Sequence, residues 1–175
     1  GWAYFDTGGK PTLSKSSYHK SAAKYDDQGN QIEWACFDTE GKPTLHKDGF
    51  HKSTAGYDDR ENLIETTMFD KFGNQIEKNS FNEVGNKVSY ETAYFDEEGR
   101  PALHKNGCHK STVKYDDRGN ETEWAYFDAE GNPALNKDNY HKSTYEYDNR
   151  GNVTEQAYFD TEGNPTLHKD GNHKG

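Results

Sequence analysis

One short motif recurs along the whole chain and constrains its fold more than any other feature. An aromatic residue is followed by Asp or Asn, then two variable residues, then Gly, and the steps between successive motifs alternate mainly between 20 and 12 residues. Ten of the eleven copies keep the Gly, and Glu61 replaces it in the remaining copy. The aromatic residues of the motif are Phe5, Tyr25, Phe37, Tyr57, Phe69, Phe81, Phe95, Tyr115, Phe127, Tyr147 and Phe159.

The motif has the chemistry of a hairpin turn. Asp or Asn at the first position of a type I turn accepts hydrogen bonds from backbone amides further along the turn. Gly at the fourth position can adopt the left-handed conformation that gives a hairpin with a G1 bulge. We therefore predict that each aromatic residue ends a β-strand. Glu61 must adopt a strained positive φ or a different turn.

Each 20-residue step carries an insertion of fixed form, which we call an arm. Its pattern is Pro-x-Leu-x-Lys, three residues, then His-Lys, and the arms span residues 11–20, 43–52, 101–110, 133–142 and 165–174. Pro suits a strand entry or edge because it lacks a ladder donor, and the Leu two residues later should face inward with it. Asp48-Gly49, Asn106-Gly107 and Asp170-Gly171 predict two-residue type I′ turns within three arms.

These spacings predict an all-β fold, an elongated tandem-repeat array of antiparallel β-hairpins resembling a meander or solenoid. Each superrepeat of 32 residues should contain three antiparallel strands and three turns. The predicted boundaries are 2–33, 34–65, a short unit at 66–91, 92–123, 124–155 and a truncated 156–175. Because the pattern is cut at both ends, we expect a fragment of a longer array, without a signal peptide of its own.

Composition limits the classes of partner. Apolar residues make up 29% of the chain, yet it has twelve Tyr, nine Phe and three Trp, so the core should be thin and aromatic. The net charge of -10 disfavours nucleic acid and anionic membrane surfaces as partners. The sequence has no run of about 18 apolar residues, so we expect no membrane insertion. Cys36 and Cys108 stand where other repeats place an aromatic residue and are expected to be small apolar substitutes rather than a disulfide.

Two segments resemble a known family. The sequences Tyr-Asp-Asp-Arg-Gly-Asn at 115–120 and Tyr-Asp-Asn-Arg-Gly-Asn at 147–152 resemble the YD repeat of Rhs-like bacterial proteins. The resemblance implies a long spiralling β-sheet of a large secreted or cell-surface protein, and thus an extracellular location. Some members form shells around toxins and some are credited with carbohydrate binding. The arms and the strict 32-residue period depart from that pattern.

Histidines suggest a metal site, with a simpler alternative. If the type I′ turns form, His46 and His51 become cross-strand neighbours, and so do His104 with His109 and His168 with His173. Two imidazoles could share a zinc ion. However, two ligands make a weak site and no further ligand is evident, so packing of the imidazoles beside aromatic rings is the favoured interpretation. The sequence predicts no cofactor.

Three tryptophans, Trp2, Trp34 and Trp124, share one strand position and could form a platform for sugar rings. With so few aliphatic residues, however, the aromatic rings are needed in the core, and this is the favoured interpretation. No catalytic motif is evident, and a repeat supplies copies where catalysis needs one unique centre. We therefore expect a non-catalytic structural segment, such as a stalk, spacer or filament building block, that associates end to end or with neighbouring repeats. The alternative is a carbohydrate- or protein-binding module that uses the aligned aromatics.

Overall fold

The computed structural model describes residues 1–169, and within that range the chain contains no helix, so none that could cross a membrane. The all-β prediction is confirmed. The strands are β1 (Trp2–Ala3), β2 (Lys20–Tyr25), β3 (Gln31–Phe37), β4 (Lys52–Tyr57), β5 (Leu63–Phe69), β6 (Gln75–Phe81), β7 (Lys87–Ala93), β8 (Lys110–Tyr115), β9 (Glu121–Phe127), β10 (Lys142–Tyr147), β11 (Val153–Phe159) and β12 (Pro165–Thr166).

The hairpin of β2 and β3 shows how the motif works. The amide of Gly29 donates to the carbonyl of Asp26 at 3.1 Å, and the amide of Asp26 donates to Asn30 at 3.0 Å. Gly29 has a φ of 93° and the register shifts after Lys24, as expected for a G1 bulge. The predicted turn is therefore confirmed.

The predicted strand ends are confirmed at nine of the eleven aromatic residues. The exceptions are Phe5 and Phe95, which form isolated bridges with Pro11 and Pro101. At the departing copy, Glu61 keeps the same turn: its amide donates to the carbonyl of Asp58 at 3.0 Å and its φ is 65°. The structure thus selects the strained positive φ over a different turn.

The chain divides into two compact units. Unit 1 comprises residues 1–78 and 83–85, and unit 2 comprises residues 79–82 and 86 onward. In unit 1, strands β1 to β5 follow in chain order, each antiparallel to the next. In unit 2, strands β7 to β12 do the same. Each unit is therefore a meander of hairpins.

The arms do not form full third strands, which corrects that prediction. In the second arm, Pro43 forms an isolated bridge with Phe37, and Thr44 donates to the carbonyl of Cys36 at 3.3 Å. The chain then leaves the strand alignment to form its own turn. Pro has no amide to donate, so pairing stops after one or two residues.

The arm leucines face solvent, whereas the sequence predicted that they would face inward. Their exposure ranges from 37% at Leu45 to 71% at Leu103. Alternation places the residues on either side of each Leu toward the sheet instead. The five leucines concerned are Leu13, Leu45, Leu103, Leu135 and Leu167.

The arms cover an aromatic face of the sheet. In unit 1, the Trp34 ring contacts Tyr18, His46 and Phe50 with centroid distances of 5.5 to 5.8 Å. In unit 2, Cys108, Tyr126 and Tyr140 form a buried cluster, with Trp124 and Tyr158 packed against it. The core is thin and aromatic, as expected from the composition.

Candidate functional site

The recurring carboxylates hold the turns. At Asp38, one carboxylate oxygen accepts hydrogen bonds from the backbone amides of Glu40 and Lys42, both at 2.9 Å. At Asp58 the second oxygen also accepts from the side-chain amide of Asn62 at 3.0 Å. The motif acids are thus used within their own turns rather than offered to a ligand.

These bonds lower the pKa of the capping acids. The side-chain amides of Asn62, Asn120 and Asn152 donate to the preceding aspartates, and backbone amides add to the effect. Each bond favours the ionised carboxylate, so the pKa falls below its usual value. The aspartates concerned are Asp58, Asp116 and Asp148.

The arm turns use the same geometry with different capping residues. The amide of His46 donates to the carbonyl of Phe50 at 2.7 Å, and the amide of Gly49 donates back to His46 at 2.9 Å. The Nδ1 atom of His46 accepts from the amide of Asp48 at 3.2 Å, as the Asp carboxylate does elsewhere. This is a bulged type I turn, and the predicted type I′ turn is wrong. A local imidazole acceptor at the first position favours the bulged turn.

Other arms confirm that any suitable acceptor serves at this position. Ser14 accepts from the amide of Ser16 at 3.1 Å, and Asn136 accepts from that of Asp138 at 2.9 Å. The fourth residue has a positive φ even where it is not Gly, namely 71° at Ser17 and 69° at Asn139. The sequence signal was present: Leu-His-Lys-Asp-Gly matches aromatic-Asp-x-x-Gly once Leu is allowed at the first position and His at the second.

The histidine next to the last residue of each of the first four arms is bonded to a backbone carbonyl group. The Nδ1 atom of His51 lies 2.7 Å from the carbonyl oxygen of Cys36, and that of His141 lies 2.7 Å from the carbonyl of Tyr126. Longer bonds of the same kind join His19 to Thr12 and His109 to Ala102. Each of these four rings also packs edge-on against a phenylalanine: Phe5, Phe37, Phe95 or Phe127.

Two of the predicted histidine pairs, His46 with His51 and His104 with His109, are not cross-strand partners. His46 pairs with Phe50 and its ring lies among Tyr18, Trp34 and Phe50, whereas the His51 ring packs on Phe37. In unit 2, His104 stacks on Tyr94 at 4.2 Å and His168 contacts Tyr140 and Tyr158. Residues 1–169 contain no group of three or more His, Cys, Asp or Glu placed to hold a metal ion. His173 lies outside the described residues.

The three tryptophans differ in their surroundings. Trp34 is half-buried among the aromatic rings of two arms, and Trp124 is half-buried with its indole nitrogen donating to Glu121 at 2.9 Å. Trp2 is 79% exposed. The use of this row for sugar binding stays a prediction, and the Trp34 ring is already in contact with three other rings.

The two cysteines are free and buried, as their alignment with aromatic residues suggested. The Cys36 thiol donates to the carbonyl of Thr44 at 3.0 Å. Burial raises the pKa of both thiols, so they are poor nucleophiles.

Unit 2 contains an open groove of about 540 Å³ between two hairpin turns. Its lining includes Tyr145, Tyr147, Asp117, Arg118 and Glu146. Register places Ala23, Ala55 and Val113 where this hairpin has Tyr145. Sequence analysis missed the groove, although this Tyr was a visible departure from the repeat.

The hairpin of β10 and β11 departs from the repeat in a second way, in the charges that face each other across its two strands. Lys24 faces Glu33 and Lys114 faces Glu123 across their hairpins, with ion pairs of 2.8 and 2.9 Å. In the groove hairpin, Glu146 faces Glu155 instead. Like charges directly across a ladder are destabilising, so this hairpin gives up an ion pair that the other two have.

No protein-family model matches the chain, and no curated protein matches it. Among solved structures, a GtfA/B complex bound to UDP and GlcNAc shares 11% identity over 61% of this chain and 19% of that chain, with a TM-score of 0.27. A Photorhabdus luminescens Tc holotoxin pore shares 17% over 83% of this chain and 8% of that one, with a TM-score of 0.34. A TcdB2-TccC3-TEV structure shares 13% over 87% and 9%, with a TM-score of 0.23. The chain spans less than a fifth of each, and at these scores the similarities carry no argument about function.

Proposed function

We propose that this chain is a non-catalytic structural segment, a stalk, spacer or filament building block of a bacterial extracellular protein. The observation that carries the proposal is the hydrogen bond between successive arms. The amide of Lys47 donates to the carbonyl of Ser16 at 3.0 Å in unit 1, and the amide of Lys137 donates to Asn106 at 2.8 Å in unit 2. Each arm thus supports the next, as in repeat proteins stabilised by their nearest neighbours.

The polar residues that recur most often support the same role. Asp38, His46 and His51 all bond to backbone atoms of their own hairpin or a neighbouring segment. A polar side chain used in this way stabilises the backbone rather than a reacting group. The bacterial and extracellular parts of the proposal rest on the resemblance of residues 115–120 and 147–152 to YD repeats.

Proline substitution tests the coupling between arms. Lys137 is the second residue of its turn, where Pro is well tolerated, so Lys137→Pro removes the amide donor while fitting the turn. We expect the free energy of unfolding to fall by about 1 kcal/mol, measured by urea denaturation of the full chain.

Lys105→Pro is the matched control. Lys105 occupies the same turn position, and its amide makes no such bond to another arm within residues 1–169. We expect this variant to be unchanged or stabilised by up to about 1 kcal/mol. Equal effects of the two substitutions would show that the bond between arms contributes nothing, and would remove the main support for a stacked spacer.

A second candidate, a carbohydrate-binding module, is favoured by the groove at Tyr145. Aromatic faces beside Asp117, Glu146 and Arg118 suit a sugar, which needs both stacking and hydrogen-bonding partners. A glycan array probed with the full chain tests this directly. Binding that Tyr145→Val abolishes, Val being the residue at 113, would establish the binding function and displace the purely structural one.

A further inference from the structure

Charge is strongly segregated along this acidic chain. Residues 11–20, 43–52, 101–110 and 133–142, the first four arms, contain eight basic and two acidic residues. The remainder contains thirteen basic and twenty-nine acidic residues. The net charge of -10 therefore conceals basic arms on a much more acidic sheet and turns.

The outer side of each arm combines this positive charge with apolar surface. Leu and Lys two residues apart both face solvent, as at Leu45 with Lys47 and at Leu135 with Lys137. Within residues 1–169 these two lysines, together with Lys15 and Lys105, form no ion pair. We call this Leu-Lys surface the arm face.

The backbone bonds between arms fix the spacing of the arm face. Lys47 is bonded to Ser16, so it lies next to the residue that follows Lys15. In unit 2, Lys137 is bonded to Asn106 in the same way, next to Lys105. The backbones that carry the lysines of these successive arms are thus held together, and a surface rich in one sign of charge favours an acidic partner.

We propose that the arm face binds the acidic turns of a second copy of this chain. The complementary surface is present on every copy. The variable positions of the turns supply exposed carboxylates, as at Asp27 and Asp59. Exposed apolar side chains accompany them, among them Tyr25, Phe72 and Val84. Apolar residues with opposite charges around them are the elements of a protein interface.

This contact joins two different surfaces. A heterologous contact leaves an unused arm face and an unused set of turns on the pair, so assembly continues into longer species. The inference goes beyond the structural role proposed above, because a monomeric spacer would need no such surface. Failure of self-association would therefore leave that role intact.

Sedimentation velocity of the full chain tests the proposal. We expect the sedimentation coefficient to rise with protein concentration at about 30 mM salt and to rise less at about 500 mM, because screening weakens exposed charge pairs. Replacing Lys15, Lys47, Lys105 and Lys137 with Glu should abolish the association. A matched variant that replaces Arg60, Lys71, Lys87 and Arg150 with Glu changes the net charge equally, from -10 to about -18. It makes the turn surface more acidic and leaves the arm face intact, so it should associate at least as strongly as the wild-type chain.

Mixing separates the proposed contact from its alternatives. The arm variant retains its acidic turns, so in labelled form it should bind the wild-type chain while failing to bind itself. A wild-type chain that is monomeric under all conditions overturns the proposal, and so does equal loss of association in both variants. A monomer that instead binds heparin or phosphatidylserine vesicles through these lysines also overturns it. Circular dichroism and thermal melting establish that each variant is folded.

Discussion

The Nδ1 atom of His46 accepts a hydrogen bond from the backbone amide of Asp48 at 3.2 Å. The imidazole therefore does what a carboxylate does in the other turns. We predict that His46→Ala lowers the free energy of unfolding by about 1–2 kcal/mol, because the amide loses its acceptor and the ring no longer packs on Trp34 and Phe50. His46→Asn keeps an acceptor, as Asn136 does in the equivalent turn, and should lose less. Urea denaturation measures both, with the exposed Lys47→Ala as control; equal stability of His46→Ala and wild type would contradict the capping role.

Glu61 gives a second prediction. Its φ of 65° is unfavourable for any residue with a side chain, so Glu61→Gly should raise the melting temperature, with a gain of about 1 kcal/mol. Thermal melting followed by circular dichroism is sufficient. A lower melting temperature would mean that the Glu61 side chain stabilises the hairpin by more than its backbone strain costs.

A third prediction concerns the opposite substitution, of a glycine by a residue with a side chain, at Gly119 in unit 2. Gly119 has a φ of 83°, and a Cβ atom added there would meet no other atom within 4 Å. Gly119→Val should therefore lose about 1–3 kcal/mol through backbone strain alone. Gly119→Asn should lose less, because Asn tolerates the left-handed region. Equal losses in the two variants would indicate that something other than φ is responsible.

Much of this architecture could be predicted from the sequence because turn chemistry is local. Asp38 and Gly41 determine a turn through atoms a few residues apart, and the same holds along the whole array. The arms were harder to interpret. The histidine pattern suggested a metal ligand at His46. In the structure its ring nitrogen accepts from the backbone amide of Asp48 instead, a capping role that is more familiar for Asp or Asn than for His. Leu45 was assigned inward because the hydrophobic pattern alone does not show that the arm leaves the strand alignment. The groove at Tyr145 depends on two turns being neighbours, which no local pattern reveals.

Acid should destabilise the chain through its capping aspartates. The pKa of Asp116 is lowered in the folded state by the side-chain amide of Asn120 and by backbone amides. A lowered folded pKa stabilises the fold above the unfolded value of about 4, and this contribution is lost as the pH falls through the folded pKa. Melting temperatures should be flat above about pH 5 and fall steeply below about pH 4.

A variant with Asn in place of three capping aspartates tests whether these groups cause the loss of stability in acid. Replacing Asp58, Asp116 and Asp148 with Asn keeps an acceptor, as at Asn82, which accepts from the amide of Asn86 at 2.9 Å. This variant should be less stable at pH 7 and should lose less stability on acidification. An unchanged acid response would assign the effect to other carboxylates.

Replacing Trp34 should cost more stability than replacing Trp2. Trp34→Ala removes a ring packed against Tyr18, His46 and Phe50 and should cost about 2–3 kcal/mol. Trp2→Ala should change stability by less than about 0.5 kcal/mol, because the ring is exposed. Chemical denaturation of the two variants checks this; equal costs would mean that the arms do not stabilise the Trp34 ring.

Zinc should have little effect on the thermal stability of the chain. His46 and His51 lie in different ring clusters and both Nδ1 atoms are hydrogen-bonded to backbone, so we expect zinc to leave the melting temperature within about 1 °C of a chelator-treated sample. A rise of several degrees that His51→Phe abolishes would restore the metal-binding hypothesis.

The stretch from Leu63 to Ala93 contains three strands joined by tight turns without an arm. Neighbouring repeats of similar sequence risk exchanging strands while they fold, since each can satisfy its neighbour's hydrogen bonds. An exchange that slides one repeat into the place of the next would have to put an armless strand where an arm is required. We therefore expect the armless stretch to fix the register of the array, because strand exchange is then limited to repeats that precede it or to repeats that follow it in the chain.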